Sequence, residues 1–227
     1  MKSKLIQVAI DGPAGAGKTT VGQLVASKLG IIYLSTGRIF RSYAYALRTI
    51  NCKDQNEVKN ELSQFKFEFI DGNFYINGLD VSRDIISDAH SMNASLISSY
   101  PFVRKKYEKD LKKIIKKNSL VMDGRDIGTV IIPDTPFKFY LDASLKVRTA
   151  RRAKELRIDL KSKEFKELME KMAKRDKQDT TRKVSPLRKA PDATYIQSDD
   201  LTAEQVADLI CEKVNKTREL WQWKKPL

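Results

Sequence analysis

The sequence predicts an α/β protein in which a parallel β-sheet is covered by helices on both faces, a three-layer arrangement. Short apolar segments rich in β-branched residues alternate along the chain with longer segments whose apolar residues recur every three or four positions. A glycine-rich turn, residues 12–17, joins the first of these strands to the first helix. Strands that alternate with helices form parallel sheets, because each helix carries the chain back across a face of the sheet.

The first elements are predicted from apolar patterns and their boundaries. Residues 5–10 form a short apolar run typical of a buried strand, and residues 31–34 form a second one. Between them, a helical pattern starts at Lys18 and stops at Gly30, because glycine favours the left-handed conformation found at helix ends. Thr36 is predicted to cap the next helix.

The rest of the chain continues the alternation, and residues 1–227 are predicted to form a single domain. The later elements are predicted as a helix after Pro101, strands at residues 120–122, 137–141 and 193–196, a charged helical region over residues 145–182 with a break at residues 158–162, and a C-terminal helix with apolar positions Val206, Leu209, Ile210 and Val214.

Residues 65–81 interrupt this pattern. The pairs Asp71-Gly72 and Asn77-Gly78 flank a short apolar run that contains Phe74. Such pairs between apolar runs are strong hairpin signals, because glycine and asparagine tolerate the positive φ angles of tight turns. The sequence therefore predicts a small antiparallel insert.

Composition limits the available chemistry. The chain has one histidine, His90, and two cysteines, Cys52 and Cys211, whose spacing fits no metal motif. Metal clusters and Ser-His or Cys-His catalysis therefore have few candidates, and both cysteines are expected to be buried and reduced. No run approaches the roughly 20 apolar residues of a membrane span and no signal-peptide pattern is found, so a cytoplasmic location is expected.

The formal net charge of +14 indicates an anionic partner: nucleic acid, an acidic membrane surface or phosphorylated small molecules. Part of the excess is lysine in the helical segment after Pro101, where a charge run is usually a solvated helix face. These lysines are Lys105, Lys106, Lys109, Lys112, Lys113, Lys116 and Lys117.

The glycine-rich turn matches the phosphate-binding P-loop pattern G-x-x-x-x-G-K-[ST]. Its glycines let backbone N–H groups approach phosphate oxygens, and the helix that follows directs its N-terminal donors at the anion. Lys18 is predicted to reach the β- and γ-phosphates, and Thr19 to bind Mg²⁺. The predicted ATP-binding residues here are Gly12, Pro13, Ala14, Gly15, Ala16, Gly17, Lys18, Thr19 and Thr20.

The loop alone does not identify the reaction, because GTPases, ATP-driven machines and small kinases all use it. The sequence contains no N-K-x-D guanine motif, which argues against a GTPase, and it is shorter than expected for an ATP-driven motor. Arginines and aspartates recur in several later segments, and arginine suits phosphate because its planar fork donates two parallel hydrogen bonds. A phosphorylated acceptor brought against ATP needs several such charges.

The segment D-G-R-D-I-G-T, residues 123–129, follows a predicted apolar strand. Asp123 stands at the carboxyl end of that strand, where open α/β sheets keep their binding sites. The segment combines two glycines with the charged residues Arg125 and Asp126. This composition argues against a plain connecting loop. A substrate-binding segment is therefore predicted here.

The chain resembles the bacterial cytidylate kinases, which are nucleoside monophosphate kinases. The matching segments run in family order over nearly the whole chain: residues 11–19, 35–41, 77–82, 94–95, 100–104, 123–129 and 175–187. Residues 123–129 and the hairpin insert are far more specific than the P-loop. The resemblance implies a parallel-sheet P-loop kinase core, a monophosphate-binding lobe over residues 36–105 that carries the insert, and a mobile helical lid over residues 152–185.

The resemblance also implies roles for the matching polar residues. The implied contacts are Thr36, Arg41 and Arg125 for the acceptor's phosphate or sugar; Ser95, Arg104 and Asp126 for the cytosine edge; Asp179 and Arg182 for the sugar or base region; and Arg148, Arg152 and Arg175 for a phosphate clamp on the lid side. Among these, Arg125, Arg152 and Arg175 join Lys18 as the expected catalytic residues, and Arg148 is expected to bind ATP.

Four positions depart from the family pattern. Ser35 stands where aspartate is usual, Arg38 replaces a small residue, Phe40 replaces tyrosine, and Ile86 stands where an arginine usually follows Asp84-Ile85.

The P-loop and the resemblance together imply a monomeric enzyme that transfers the γ-phosphoryl group of ATP to CMP or dCMP with Mg²⁺, and that binds neither nucleic acid nor membrane. Asp126 can accept a hydrogen bond from the cytosine amino group and would face a carbonyl in uracil. Two alternatives stay open: a kinase for another acceptor such as UMP or AMP, and a nucleic-acid-binding P-loop ATPase, whose binding would weaken steeply with salt.

Overall fold

The computed structural model describes residues 5–86 and 90–223, without the side chains of residues 220–223. The ends of the predicted domain, residues 1–4 and 224–227, lie outside the described residues. The described chain divides into two compact units: unit 1 comprises residues 5–6 and 34–120, and unit 2 comprises residues 7–33 and 121–223. The predicted lobe limits, 36–105 and 152–185, remain predictions.

The elements follow one another in the predicted α/β order. In chain order they are β1 (Gln7–Asp11), α1 (Lys18–Leu29), β2 (Ile32–Ser35), α2 (Thr36–Ala46), α3 (Gln55–Leu62), β3 (Phe67–Ile70), β4 (Asn73–Ile76), β5 (Leu79–Asp80), α4 (Ser91–Ile97), α5 (Pro101–Ile115), β6 (Leu120–Gly124), a π-helical turn (Ile127–Ile131), β7 (Lys138–Asp142), α6 (Leu145–Leu156), α7 (Lys163–Thr181), β8 (Thr194–Gln197) and α8 (Ala203–Trp223).

The main sheet has five strands and flanking helices, as the fold class predicted. Its strand order is β2-β6-β1-β7-β8. β1 pairs with β7 in parallel, with Asp11 opposite Tyr140, and β7 pairs in parallel with β8. Val8, Ala9 and Ile10 are fully buried, which explains the apolar run along β1. Because β1 lies between β6 and β7, its carboxyl end is flanked on both sides by the segments that follow those strands.

The predicted insert is a three-stranded antiparallel sheet, β3-β4-β5, in unit 1. Its two turns place Asp71 and Asn77, with the glycines that follow them, at positive φ, as the Asp-Gly and Asn-Gly signals predicted. Aromatic rings form the core beside it: Tyr43 of α2 contacts Phe65 and Phe67 at ring distances of 5.4 and 5.5 Å. The insert is therefore tied to α2 by apolar packing.

Several helix boundaries agree with the sequence and one cap does not. Gly30 ends α1 in the left-handed conformation, and the predicted break between α6 and α7 is present. Thr36 is the first residue of α2 and not its cap; Ser35 occupies the cap position, without a side-chain hydrogen bond to the helix. The chain enters α2 directly from β2, which shifts the boundary by one residue.

Three short elements were not predicted: α3, α4 and the π-helical turn. They span only one or two turns, too short for a periodic apolar pattern to be read. α3 did carry one usable signal, since the Asp54 carboxylate accepts hydrogen bonds from the backbone N–H groups of Asn56 and Glu57.

The cysteines and the lysines that follow Pro101 agree with their predictions only in part. Both cysteines are free, but only Cys52 is buried, whereas Cys211 is half-buried on α8. Six of the seven lysines are exposed, but Lys106 is half-buried, because it pairs with Asp110 and lies over the Phe65 ring.

Over the described residues, no helix combines the length and the apolar character that a membrane span requires.

Candidate active site

The P-loop connects β1 to α1 in unit 2. Gly17 precedes the helix at a φ of 88°, and Lys18 is its first residue. The Lys18 side chain is 7% exposed, and its Nζ donates a hydrogen bond to the carbonyl oxygen of Pro13 at 2.6 Å. Burial and the nearby charge of Arg125 lower the pKa of Lys18 well below its usual value. A polyphosphate beside this amine would restore its charge, so the loop is built for an anion.

Two arginines of α6 contact backbone carbonyl oxygens of the P-loop. Arg148 donates to the backbone oxygens of Ala14 (3.0 Å) and Ala143 (2.8 Å) and pairs with Asp176 of α7 at 2.7 Å. Arg151 donates to Ser198 Oγ at 3.1 Å, and its Nη1 lies 3.5 Å from the oxygen of Ala16. Arg148 was assigned to ATP from the sequence; in the structure its guanidinium supports the loop's backbone, a role that Arg151 shares.

Thr19 and Asp123 form an oxygen pair at the end of the P-loop. The Thr19 hydroxyl donates to Asp123 Oδ2 at 3.1 Å, and Asp123 is buried at the carboxyl end of β6. A hydroxyl and a carboxylate beside a phosphate-binding loop are the oxygen ligands that Mg²⁺ takes in such sites. The hydroxyl of Thr19 and the carboxylate of Asp123 therefore fit Mg²⁺ as neighbouring oxygen ligands. Across residues 5–86 and 90–223, no group of three or more His, Cys, Asp and Glu could hold a metal ion.

Charged residues of α7 and of the segment after β6 pair with one another. Arg125 donates to Asp179 at 2.8 Å, and Arg182 lies 3.7 Å from Asp179 and 3.8 Å from Asp126. Burial acts to raise the pKa of Asp179, but the charge and hydrogen bond of Arg125 prevail and lower it. Unit 2 thus brings together four residues that the sequence assigned to the acceptor.

α7 also packs on the P-loop itself. A Cβ at Gly15, whose φ is +75°, would lie 2.8 Å from Met172 Cε, so glycine lets α7 approach the loop. On the same helix the charge of Arg175 acts on Lys18 and Asp179. Arg175 therefore lies near the loop's lysine, Lys18. The other predicted clamp residue, Arg152 of α6, pairs with Glu155 at 2.6 Å.

Asp11 is a functional candidate that the sequence reasoning did not assign. It ends β1, is 4% exposed, and accepts hydrogen bonds from the N–H groups of Ile127 (2.9 Å) and Gly128 (2.8 Å). Burial raises the pKa of Asp11 to about 6, although these two hydrogen bonds act to lower it. An acidic residue between an apolar strand and a glycine-rich loop was the signal available in the sequence.

Unit 1 carries four further acceptor candidates, while Asp123, also predicted to bind the substrate, belongs to unit 2. Thr36 and Arg41 lie on α2, Ser95 is exposed on α4, and Arg104 lies on α5. Arg104 is 2% exposed and donates to the backbone oxygen of Ser98 at 3.3 Å, at the end of α4. These residues are spread over three helices, of which α2 and α4 pack together.

Phe40, a departure from the family pattern, has a clear structural place. Its ring stacks on Tyr107 at 4.5 Å, and the Arg104 guanidinium lies 5.7 Å from the centre of the Phe40 ring. The two aromatic rings therefore support a buried arginine by cation–π attraction, which needs no phenolic hydroxyl.

A parallel sheet with a P-loop at the carboxyl end of β1, a buried P-loop lysine and several arginine–aspartate pairs define a P-loop nucleotide-binding protein of the phosphotransferase class. The cytidylate kinase family model matches residues 8–216. The chain belongs to the cytidylate kinase family.

Individual relatives agree. The chain is 42% identical over 208 residues to the cytidylate kinase of Thermosipho africanus strain TCF52B, covering 92% of this chain and 94% of that protein. It is 40% identical to the cytidylate kinase of Clostridium tetani strain Massachusetts / E88, covering 93% and 95%. A crystal structure of an uncharacterized protein from Eubacterium ventriosum ATCC 27560 shares the fold, with a TM-score of 0.51 at 16% identity over 92% of this chain and 98% of that one.

Proposed function

We propose that the protein transfers the γ-phosphoryl group of ATP to CMP or dCMP, giving ADP and CDP or dCDP. The observation that carries this proposal is membership of the cytidylate kinase family over residues 8–216. The buried Lys18 and the Arg125–Asp179 pair agree with it, because transfer between two polyanions needs positive charge held in place.

The reaction requires no strong general base. A phosphate oxygen of the acceptor attacks the γ-phosphorus of ATP, a new P–O bond forms, and the bond to the β–γ bridging oxygen breaks as ADP leaves. A phosphate monoester has its second pKa near 6, so the attacking oxygen is largely ionised near neutral pH. The task of the protein is therefore positioning, charge neutralisation and exclusion of water.

We assign the charge-handling residues as the family resemblance implies. Lys18, Arg125, Arg152 and Arg175 act on the transferred group, and residues 12–20 bind the ATP phosphates. Arg148 acts on ATP through the Ala14 carbonyl that it holds. The supporting observation is that Arg125 and Arg175 are the positive charges that lower the pKa of Lys18, so these groups are concentrated at one place in unit 2.

The acceptor's base is read by hydrogen bonds. We propose that Asp126 accepts from the amino group of cytosine, and that Ser95 and Arg104 donate to its ring nitrogen and carbonyl. Thr36, Arg41 and Arg125 contact the phosphate or sugar, and Asp179 and Arg182 the sugar or base. Uracil presents a carbonyl to Asp126, and two facing acceptors disfavour its binding.

Magnesium is the metal that suits the site. Thr19 and Asp123 would supply oxygen ligands, together with the nucleotide's own phosphates. When bound, Mg²⁺ neutralises charge on the β- and γ-phosphates. We also propose that the protein acts as a monomer in the cytoplasm, where its two nucleotide substrates are found; light scattering on the purified protein tests the monomer.

An acceptor panel tests the function. ADP release is followed with ATP and Mg²⁺ and with CMP, dCMP, UMP, AMP or no acceptor, at matched ionic strength. Rapid turnover with CMP and dCMP and slow turnover with UMP is the expected result. Turnover that needs added nucleic acid and falls steeply with salt would replace the proposal with a nucleic-acid-dependent ATPase.

A further inference from the structure

Asp11 stands between the two segments that the proposed function needs. It is the last residue of β1, next to Gly12 of the P-loop, and its side chain binds residues of a different segment. Both of its carboxylate oxygens are used: Oδ1 accepts from Ile127 N–H at 2.9 Å and Oδ2 from Gly128 N–H at 2.8 Å. These are the two residues that follow Asp126.

The backbone of Asp126 is therefore fixed from both directions. The two N–H groups that follow it are held by Asp11, and its own carbonyl oxygen accepts from the N–H groups of Val130 (2.9 Å) and Ile131 (3.2 Å). Asp126 lies at the start of the π-helical turn and is 5% exposed. Its side chain can aim in few directions, because its backbone has little freedom.

The Lys138 side chain also confines the space around Gly128. A Cβ at Gly128 would lie 3.4 Å from Asp11 Oδ2 and 3.3 Å from Cγ and Cδ of Lys138. Lys138 is a buried residue of β7, and its Nζ pairs with Asp192 at 2.6 Å. The turn after Asp126 is thus held between a carboxylate on β1 and an anchored lysine stem on β7.

We propose that Asp11 is a positioning residue for base selection, which fixes the backbone of Asp126 and so sets the preference for cytosine over uracil. The inference rests on the proposed function, since it assumes that Asp126 reads the base. Asp11 itself touches neither nucleotide in this role. It acts through the two N–H groups that it binds.

Asp11→Asn is the decisive variant, because it keeps the side chain's shape and removes one acceptor. The amide oxygen can accept one N–H, but the amide NH₂ is a donor and would face the second N–H. We expect the ratio of kcat/KM for CMP to kcat/KM for UMP to fall about 10-fold, the lower range for one misplaced base contact. The KM for ATP should stay within about twofold, since the P-loop's own hydrogen bonds are untouched.

A purely structural role predicts something else. If Asp11 only stabilised the fold, Asp11→Asn would lower turnover of CMP and UMP in parallel and leave their ratio unchanged, which would overturn the inference. Asp110→Asn is the matched control: Asp110 is equally buried, at 5% exposed, in the core of unit 1. It should lose stability and keep the ratio.

Two further variants keep the test decisive. In Asp126→Ala the ratio should already be low, and adding Asp11→Asn should lower it no further, because the residue that Asp11 positions is gone. If Asp11→Asn does not fold, Gly128→Ala displaces the same N–H and should shift the ratio in the same direction. An unchanged ratio in Gly128→Ala would overturn the inference.

The two proposals fail in different ways. A wild-type enzyme with no preference for CMP, or an Asp126→Ala variant that keeps the full preference, would contradict the proposed base reading. A lowered ratio in Asp126→Ala together with an unchanged ratio in Asp11→Asn would leave the proposed function intact and remove only the role of Asp11.

Discussion

The two units differ in what they bury. Unit 2 buries charged groups around the P-loop, among them Asp11, Lys18, Asp123 and Arg148. Unit 1 buries aromatic rings around Tyr43, and the Tyr43 hydroxyl donates to the buried Asp110 at 2.8 Å. An isolated buried charge is unfavourable. The concentration of buried charged groups in unit 2 therefore indicates a binding site for a charged ligand, whereas unit 1 is stabilised chiefly by apolar burial.

The difference is sharpest at the two buried ionic clusters. In unit 2 the Lys18 amine is bonded to a backbone carbonyl, and the net effect of burial and neighbouring charges is to lower its pKa. In unit 1 Asp110 is surrounded by a hydroxyl and the amines of Lys106 and Lys113. The arrangement around Lys18 favours the binding of an anion, whereas the Asp110 carboxylate already has its partners within unit 1. Substitutions at Lys18 should therefore change activity, and substitutions in the Tyr43–Asp110 cluster should change stability.

The largest effect is expected for Lys18→Ala. Loss of the amine should lower kcat by about 100- to 1,000-fold, because its charge stabilises the transferred phosphoryl group. Steady-state kinetics with CMP measures this, with circular dichroism as a check on folding. Lys28→Ala, at the other end of α1 where Lys28 pairs with Glu204 and Asp208, should leave kcat close to wild type. A well-folded Lys18→Ala enzyme with normal turnover would remove Lys18 from the mechanism.

Asp126→Ala should act on selectivity. Removing the carboxylate should reduce the CMP-to-UMP ratio of kcat/KM by about 10- to 100-fold, the worth of a good base contact, and change ATP binding far less. Competition between CMP and UMP in one reaction, analysed by chromatography, gives the ratio directly. Full preference in the variant would contradict the role of Asp126.

Asp11 should give unit 2 a pH-dependent stability. Its pKa is raised from 3.8 to about 6, so the folded protein binds more protons than the unfolded chain between these values. The unfolding free energy should therefore fall as pH rises through this window, by about 3 kcal/mol in all, and show no further contribution above it. The facing groups are the N–H donors of Ile127 and Gly128 and the charges of Asp126 and Lys18.

Urea unfolding of wild type and of Asp11→Asn between pH 4.5 and 7.5 isolates this contribution. The asparagine variant lacks the titrating group, so the difference in unfolding free energy between the two proteins should change with pH up to about 6 and then stay constant. A difference that does not depend on pH would show that Asp11 titrates normally.

The smallest effect is expected for Tyr43→Phe in unit 1. Asp110 would lose one buried donor and keep two amines, so the unfolding free energy should fall by about 1–2 kcal/mol. Turnover and base preference should not change. Tyr45→Phe, on the same helix and half-buried, serves as the control for removal of a hydroxyl. A loss of activity larger than the loss of stability would contradict the purely structural role of Tyr43.

The sequence by itself determined the order of the strands and long helices, the P-loop and the hairpin insert. Each of these is encoded locally: Gly30 at the end of α1, the Asp-Gly and Asn-Gly turns and the G-x-x-x-x-G-K-T motif act through the residues beside them. The acceptor residues were found differently, through resemblance, because their positions are scattered along the chain.

Only the tertiary structure decided which charges meet. Asp11 and Ile127 are 116 positions apart, and Ala14 and Arg148 are 134 apart, yet each pair shares a hydrogen bond. No local pattern records such contacts, because they arise when β6, β1 and β7 align in parallel and bring the segments at their carboxyl ends together. The contacts of Asp11 and Arg151, and the contact of Arg148 with the backbone of the loop, therefore emerged from the fold.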